Sequence, residues 1–276
     1  MATEVVIPIF NAFEESKACL ASVLEHGCVR PLVVNDASTD PQIAPWLKSL
    51  GCRIRLLTNP RNLGFVQTVN RSLQHTAGDV CLLNSDTVVP SGWLVRLERA
   101  LASSPTGGFP IGISTPLTNN GWFLSVPQAN INNRLPGNVT VAQINERLMA
   151  LPPRYPHIPT AIGFCMMISR KVIDRLGGFE VAFSPGYAEE VDYSFRARRA
   201  GFEIVCADDL FVYHRGASSF AQSETRLKNR GRNLLEVFWP GECDRIETLV
   251  DPIPDRRELL QSLLFTNDVI SMSASP

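Results

Sequence analysis

The sequence has no apolar run near the roughly 18 residues that a membrane-spanning helix requires. Its best candidate, around residues 161–168, is under half that length. No CxxC pair occurs among its seven cysteines (Cys19, Cys28, Cys52, Cys81, Cys165, Cys206, Cys243). Their odd number, and the placing of several inside apolar runs such as Val80–Leu83, exclude a disulfide scaffold and a structural zinc site. Reduced, buried thiols in a cytosolic protein are the expectation. Charge of one sign is not in excess: 26 Lys plus Arg against 27 Asp plus Glu leaves a net charge of −1. Nothing electrostatic therefore calls for a nucleic-acid partner. Glu4 precedes the first apolar stretch with no basic lead, so no signal peptide is expected. No GxGxxG follows the first strand, and neither GxxxxGK[ST] nor GxSxG is present. Dinucleotide-binding, P-loop and α/β-hydrolase readings thereby lose their main support.

What is present is 276 residues, 45% hydrophobic and 19% charged, enough for a sizeable core in one large domain or two small ones. The first hundred residues alternate strand and helix patterns. Strands are expected at Glu4–Ile9, Pro31–Val34, Arg53–Leu57 and Val80–Leu83. Helices are expected at Glu14–His26, from Asp40-Pro41 to Leu50, at Gly64–Thr76, and after a Ser91 cap, with Leu94, Leu97 and Leu101 on one stripe. This alternation predicts a parallel sheet covered on both faces. Residues Ser103–Asn138, rich in Gly, Pro and Asn, read as a functional loop region with Asn119-Asn120-Gly121 as a turn. A buried strand is expected at Pro159–Ser169, then helices at Lys171–Leu176 and Ala188–Ala200. Strands near Glu203–Cys206 and Leu210–Tyr213 follow. From Ala221 the pattern is helical, with Leu259, Leu260, Leu263 and Leu264 as an apolar stripe and a frayed end at Ser271–Pro276.

Four constellations carry candidate chemistry. In Asn84-Ser85-Asp86-Thr87 a buried strand opens onto a carboxylate, and ligands bind outside the carboxyl ends of parallel strands. Asp86 is placed to share Mg2+ or Mn2+ with a diphosphate, or alternatively to begin a turn or cap a helix. In Val34-Asn35-Asp36-Ala37-Ser38-Thr39-Asp40, Asp36 at a strand end can accept a base N–H, while Asp40 suits a helix cap. Glu189, Glu190 and Asp192 crowd the first turns of a helix, whose dipole favours their ionised, basic form. The plain alternative is an acidic helix start with an Asp192–Arg196 pair. His214, at a strand end, is a candidate for a metal or a phosphate, or simply a hydrogen-bonded imidazole.

Taken in order over roughly Thr3 to Phe220, about four-fifths of the chain, these segments resemble the family 2 glycosyltransferases. The resemblance implies an α/β GT-A (Rossmann-like) fold, with a mostly parallel sheet flanked by helices. It divides the chain into a catalytic domain at 1–220 and a helical C-terminal extension at 221–276. The nucleotide-binding half is 1–105 and the acceptor-binding half 106–220. Val5 to Asn11 resembles the opening strand, implying that Pro8, Phe10 and Asn11 contact the nucleoside. Val34–Asp40 is similar to the family's V-D-D-G-S-T-D, so Asp36 would hold the pyrimidine. Asn62, Gly64 and Asn70 would lie beside the nucleotide. Asn84-Ser85-Asp86 stands where the family has D-x-D, implying that Asn84 and Ser85 touch the donor and that Asp86 binds the metal. Gly163 and Phe164 resemble the acceptor-facing strand, with Glu189 facing the acceptor too. Glu190 stands at the position of the catalytic base, Asp192 is its alternative, and His214 in H-x-G-x-S would reach the metal or diphosphate. Three residues depart from the pattern. Asn35 and Asn84 replace the first Asp of each motif, the second as in the N-S-D-T of rhamnosyltransferase-type bacterial enzymes, and Glu190 replaces an Asp.

The function so implied is inverting transfer of a hexose or deoxyhexose from a UDP- or dTDP-sugar, with Mn2+ or Mg2+. The acceptor would be a hydroxyl of a glycan or lipid-linked saccharide in cell-surface polysaccharide synthesis. Two other classes stand beside it: a degenerate sugar-binding module without turnover, and a sugar-nucleotide nucleotidyltransferase. The expected location is cytoplasmic. Arg226, Lys228, Arg230, Arg232 and Phe238-Trp239 offer either a peripheral contact with the inner face of a membrane or a helix packed on the catalytic domain.

Overall fold

In the computed structural model, which describes residues 2–27, 30–104, 108–216, 224–247 and 250–265, the central strands are buried on both faces. On β1 (Glu4–Ile9) Val5, Ile7 and Ile9 enter one core and Val6 the other. This is the two-residue alternation of a sheet covered on both sides. The chain continues through α1 (Phe13–Glu25), β2 (Leu32–Asn35), α2 (Ile43–Ser49), β3 (Arg55–Thr58), α3 (Phe65–Leu73), β4 (Val80–Leu83), β5 (Thr87–Val88) and α4 (Trp93–Leu101). Then come β6 (Ile111–Leu117), α5 (Val141–Met149), β7 (Cys165–Ile168), α6 (Arg170–Leu176), α7 (Glu189–Arg199), β8 (Glu203–Phe211) and β9 (Tyr213–His214). Three helices end it: α8 (Glu224–Phe238), α9 (Glu242–Glu247) and α10 (Pro254–Phe265).

The seven-stranded sheet has the order β3-β2-β1-β4-β7-β6-β8, and β5 pairs with β9 in a separate two-stranded sheet. Every strand of the large sheet runs one way except β7, which is antiparallel to both β4 and β6. This is the mostly parallel α/β fold expected. Helices α1, α2 and α4 cover one face through Leu20, Leu47, Trp93 and Leu97. The other face is covered by α3, α5, α6, α7 and the C-terminal helices, through Val69, Leu148, Phe195 and Leu260. Among the described residues no helix is long and apolar enough to cross a membrane.

The strand bounds of β1 and β4 are as read from sequence, while several other elements differ. Helix α4 starts after Gly92, at φ 69 and with no side-chain cap; Ser91 instead gives its carbonyl to Arg96. Asp40 accepts the Gln42 N–H at 2.9 Å in the turn before α2, which begins at Ile43. The supposed loop Ser103–Asn138 contains β6, a strand buried along its whole length between β7 and β8. Only Cys165–Ile168 of the expected strand 159–169 pairs as β7. The two strands expected at 203–213 are one, β8, and its register against β6 slips between Pro116 and Leu117. Of the six described cysteines five are buried, Cys52 is exposed, and all are free. Cys28, Ala217, Ser218 and the end Ser271–Pro276 lie outside the described residues.

Helix α10 is anchored by a buried ion pair. Arg256 on α10 and Asp208 in the middle of β8 are both essentially inaccessible, with Nη2 2.8 Å from Oδ2. Arg256 also donates to the carbonyls of Asp208 at 3.1 Å and Pro152 at 2.6 Å. Removing one partner strands a charge away from water. Arg256→Ala should therefore cost about 3–5 kcal/mol in urea-monitored unfolding. A loss below about 1 kcal/mol, the scale of an exposed pair, would show that the pair is solvated.

Candidate active site

A cleft of about 380 Å³ opens along one edge of the sheet. That edge carries the carboxyl ends of β1, β2 and β4. Because β7 runs backwards, it also carries the residues that lead into β7. Pro8 at the end of β1 and Phe10 just after it, Asp36 after β2, and Asn84, Ser85 and Asp86 after β4 thus share the cleft with Gly163 and Phe164. The Asn84 N–H donates to the Phe164 carbonyl at 2.8 Å, tying the two strand ends together.

Asp36 is buried and accepts three N–H groups. Oδ1 takes Asn59 Nδ2 at 2.7 Å and the Leu63 N–H at 2.8 Å, and Oδ2 takes the Gly64 N–H at 2.9 Å. Oδ2 keeps a lone pair for a further donor. Gly64 sits at φ 77, where a Cβ would come within 2.7 Å of Pro185, so only glycine lets this loop close on Asp36. Asn62 lines the cleft and accepts the same Gly64 N–H through Oδ1. Asn35, standing in place of an acid, accepts the Ser38 N–H and shapes the turn.

The β5–β9 pair sets Thr87 opposite His214 and so brings Asp86 to the imidazole, Oδ1 to Nε2 at 3.5 Å. The Arg215 N–H donates to the Asp86 carbonyl and the Gly216 N–H to Asp86 Oδ2. Burial alone would raise the Asp86 carboxyl, but the His214 hydrogen bond and charge hold it below the usual carboxylate value. His214 moves the other way: desolvation opposes its charge, yet Asp86 raises it above an ordinary histidine. Its Nδ1 lies 2.8 Å from the Asn120 carbonyl, which only accepts, so Nδ1 carries a proton. Its ring stacks on Phe164 at 5.2 Å, and the Asn119 amide bonds both backbone groups of His214.

Opposite lies the start of α7. Tyr187 and Ala188, at φ 78 and 75, are consecutive left-handed residues that turn Glu189 and Glu190 into the cleft. Such backbone strain costs non-glycine residues about 1 kcal/mol or more each, and surrounding packing must hold it. Gly231, inside α8, does so: a Cβ there would lie 2.6 Å from the Tyr187 carbonyl. Burial raises the Glu190 carboxyl, while N–H groups of Glu190, Val191 and Ala188 pull it back. Glu189 is raised well above the normal range by burial and then by the neighbouring Glu190 charge. Its Oε2 is buried without a hydrogen-bond partner. Desolvation thus outweighs the helix dipole that the sequence pattern emphasised, and Glu189 is the acid that keeps its proton longest.

Three residues named from sequence stand away from the cleft lining. Asn11 faces the β2–α2 loop, accepting the Thr39 and Asp40 N–H groups at 2.8 and 3.0 Å. Asn70 clasps the Phe179 backbone through both ends of its amide. Asp192 is buried, with Oδ2 taken by Arg196 at 2.7 Å and Oδ1 by the Trp239 indole at 2.9 Å, so its oxygens serve packing. Sequence reasoning missed Trp122, Tyr187 and Lys228 as cleft residues. The Asn119-Asn120-Gly121 turn flagged the position of the first. Lys228, read as part of a basic surface, stands 5.8 Å from the Tyr187 ring centroid. Arg230, from the same run, donates to the Ala182 and Ser184 carbonyls.

Asp86 and His214 fit a divalent cation. One offers a carboxylate held ionised, the other an imidazole whose Nδ1–H is committed to a carbonyl, leaving Nε2, 3.5 Å from Asp86 Oδ1, as the nitrogen a cation would take. Among the described residues no group of three His, Cys, Asp or Glu side chains forms a complete metal cage. Remaining positions would fall to diphosphate oxygens and water, the usual habit of Mg2+ at phosphate sites.

Known proteins resemble this chain in sequence and in fold. A curated protein of Sinorhizobium fredii (strain NBRC 101917 / NGR234), described as "Uncharacterized protein y4gI", is 23% identical over 274 residues, covering 90% of this chain and 28% of its own. The chain therefore spans under a third of that relative's length. A structure of GalNAc-T7 with UDP, GalNAc and Mn2+ superposes with a TM-score of 0.65 at 14% identity, covering 100% of this chain and 58% of the other. The mannosyltransferase PcManGT from Pyrobaculum calidifontis, in complex with GDP-Man and Mn2+, gives 0.59 at 17% identity over 96% and 70%. S. aureus TarS 1–349 gives 0.53 at 16% identity over 91% and 76%. These likenesses identify the fold as GT-A. The family model of "Glycosyl transferase family 2" matches residues 4–177, more than half of the 276, and the chain belongs to that family.

Proposed function

We propose that this chain is an inverting, metal-assisted glycosyltransferase that moves a hexose or deoxyhexose from a UDP- or dTDP-sugar to a hydroxyl of a glycan or lipid-linked saccharide, in cell-surface polysaccharide synthesis. The observation that carries the reading is the meeting of Asp36, the Asp86–His214 pair and Glu190 around one cleft. Of the structural neighbours, one was solved with UDP and Mn2+ and another with GDP-Man and Mn2+.

Asp36 Oδ2 accepts the N3–H of uracil or thymine, a hydrogen that cytosine lacks. Asp86 and His214 would hold the cation, which supplies charge neutralisation for the departing diphosphate. Glu190 accepts the proton of the acceptor hydroxyl as its oxygen bonds to the anomeric carbon. The bond to the diphosphate oxygen breaks on the opposite face, and the configuration inverts. The transition state has oxocarbenium character. Burial makes Glu190 a stronger base than a surface carboxylate, while the N–H groups at the start of α7 keep it ionised.

Glu190→Gln should lower transfer roughly 10²- to 10⁴-fold in a steady-state assay. Near wild-type rates would remove it as the base. Asp86→Ala should abolish the gain in UDP affinity that Mn2+ gives in calorimetry; an undiminished Mn2+ effect would take the cation away from Asp86. A third test uses Glu189, whose folded pKa lies above its unfolded value of about 4.5. Between those two values the folded state binds the extra proton, so stability falls as pH rises through that window. Glu189→Gln should flatten this fall in unfolding free energy measured from pH 5 to 9; a slope equal to wild type would show that Glu189 ionises normally.

A further inference from the structure

The loop after β6 carries a side chain that folding does not account for. Trp122 is 40% exposed, lines the cleft and sits at φ 50, in the left-handed region that a bulky residue adopts only under constraint. The constraint is explicit. Its carbonyl accepts the Ser125 N–H at 3.1 Å and the Asn130 N–H at 2.9 Å. Arg257 of α10 donates to the Phe123 and Ser125 carbonyls, and the Phe123 ring meets the indole edge-on at 5.2 Å. A strained, anchored backbone that leaves an indole in water loses stability twice, through the dihedral and through unburied apolar area.

The position of Trp122 is equally specific. A Cβ on the preceding Gly121 would lie 3.6 Å from both Ile162 and Phe164, and one on the intervening Gly163 would lie 3.5 Å from Glu190. Asn120, one residue earlier, holds His214. In the strand order β2-β1-β4-β7-β6, Asp36 follows β2 and Trp122 follows β6, so the sheet puts them at opposite ends of the cleft. Three strands thus stand between the Asp36 end and Trp122, whereas Trp122 follows the glycine that packs on the residues flanking Gly163, the neighbour of Glu190. A flat aromatic face beside the attacking oxygen suits a ligand with an apolar C–H face and hydroxylated edges, which is a pyranose ring.

We propose that Trp122 is the platform on which a pyranose of the acceptor stacks, a subsite that makes the acceptor a saccharide; this rests on the transferase reading above. The test uses the full chain, with Trp122→Ala and Trp122→Phe, and isothermal calorimetry with maltose, cellobiose, lactose and diacetylchitobiose. At least one disaccharide should bind the wild type. Its affinity should fall about tenfold in Trp122→Ala and recover most of that in Trp122→Phe, with UDP–Mn2+ affinity shifting far less in either. Unchanged disaccharide affinity in Trp122→Ala would overturn the proposal, as would no disaccharide binding to the wild type. An equal loss of UDP-sugar affinity would make Trp122 a donor contact and overturn it too. So would binding of a serine-rich peptide in place of every disaccharide. Nucleotide release from UDP- and dTDP-sugars by the wild type tests the transferase reading separately. If none is released but disaccharide binding still depends on Trp122, the platform stands and the catalytic reading falls.

Discussion

Two residue pairs of β-structure hold the chemistry together. The short β5–β9 ladder, Thr87 against His214 and Val88 against Tyr213, brings the turn after β4 against the imidazole of β9. Without it, Asp86 would be a buried carboxylate with little to keep it charged, since burial is the largest influence on it and acts to protonate it. Asn119 reinforces the ladder by bonding both backbone groups of His214, and Asn120 orients the ring. The turn after β4, strand β5 and the loop after β6 thus converge on one histidine, so that an acid can stay ionised in a partly closed cleft.

Across the cleft the opposite problem is solved by different means. Glu189, buried, and Glu190, half-buried, are adjacent acids that cannot both ionise cheaply, and their surroundings separate them. Both receive backbone N–H groups of the turn and helix start, but Glu189 also feels the Glu190 charge and leaves Oε2 buried without a partner. The turn that produces this arrangement is strained, and the packing that holds it comes from α8, whose Gly231 lets the helix touch the Tyr187 carbonyl. Trp239, at the end of the same helix, bonds Asp192 one turn beyond Glu189. Helix α8 therefore braces the turn and the helix that carry the acid pair.

Legibility in the sequence tracked apolar pattern. Strands β1 and β4 are short, largely apolar runs rich in Val, Ile and Leu, visible because both faces are buried. Strand β6 was invisible for a physical reason: Gly112, Ser114, Thr115 and Pro116 break every periodic signal. Yet they are buried, because Ser114 and Thr115 give their hydroxyls to the carbonyls of Leu97 and Cys165. Buried polar groups of this kind are satisfied by partners far along the chain, and a local window cannot contain them. Ser91 misled for a related reason, since Gly92 in a left-handed conformation turns the chain before any side chain can cap it.

By itself the sequence determined which strand ends carry acids, because hydrophobic runs stop where Asp36 and Asp86 begin. It also determined that the chain belongs with family 2 glycosyltransferases, through the order of its motifs. Tertiary structure alone decided which of these groups meet. It turned Asn11, Asn70 and Asp192 into braces, brought Lys228 and Trp122 to the cleft, and raised the Glu189 carboxyl further than that of Glu190. The reason is that protonation and ligand geometry depend on desolvation and on donors supplied from distant segments, and those distances exist only once the sheet has closed.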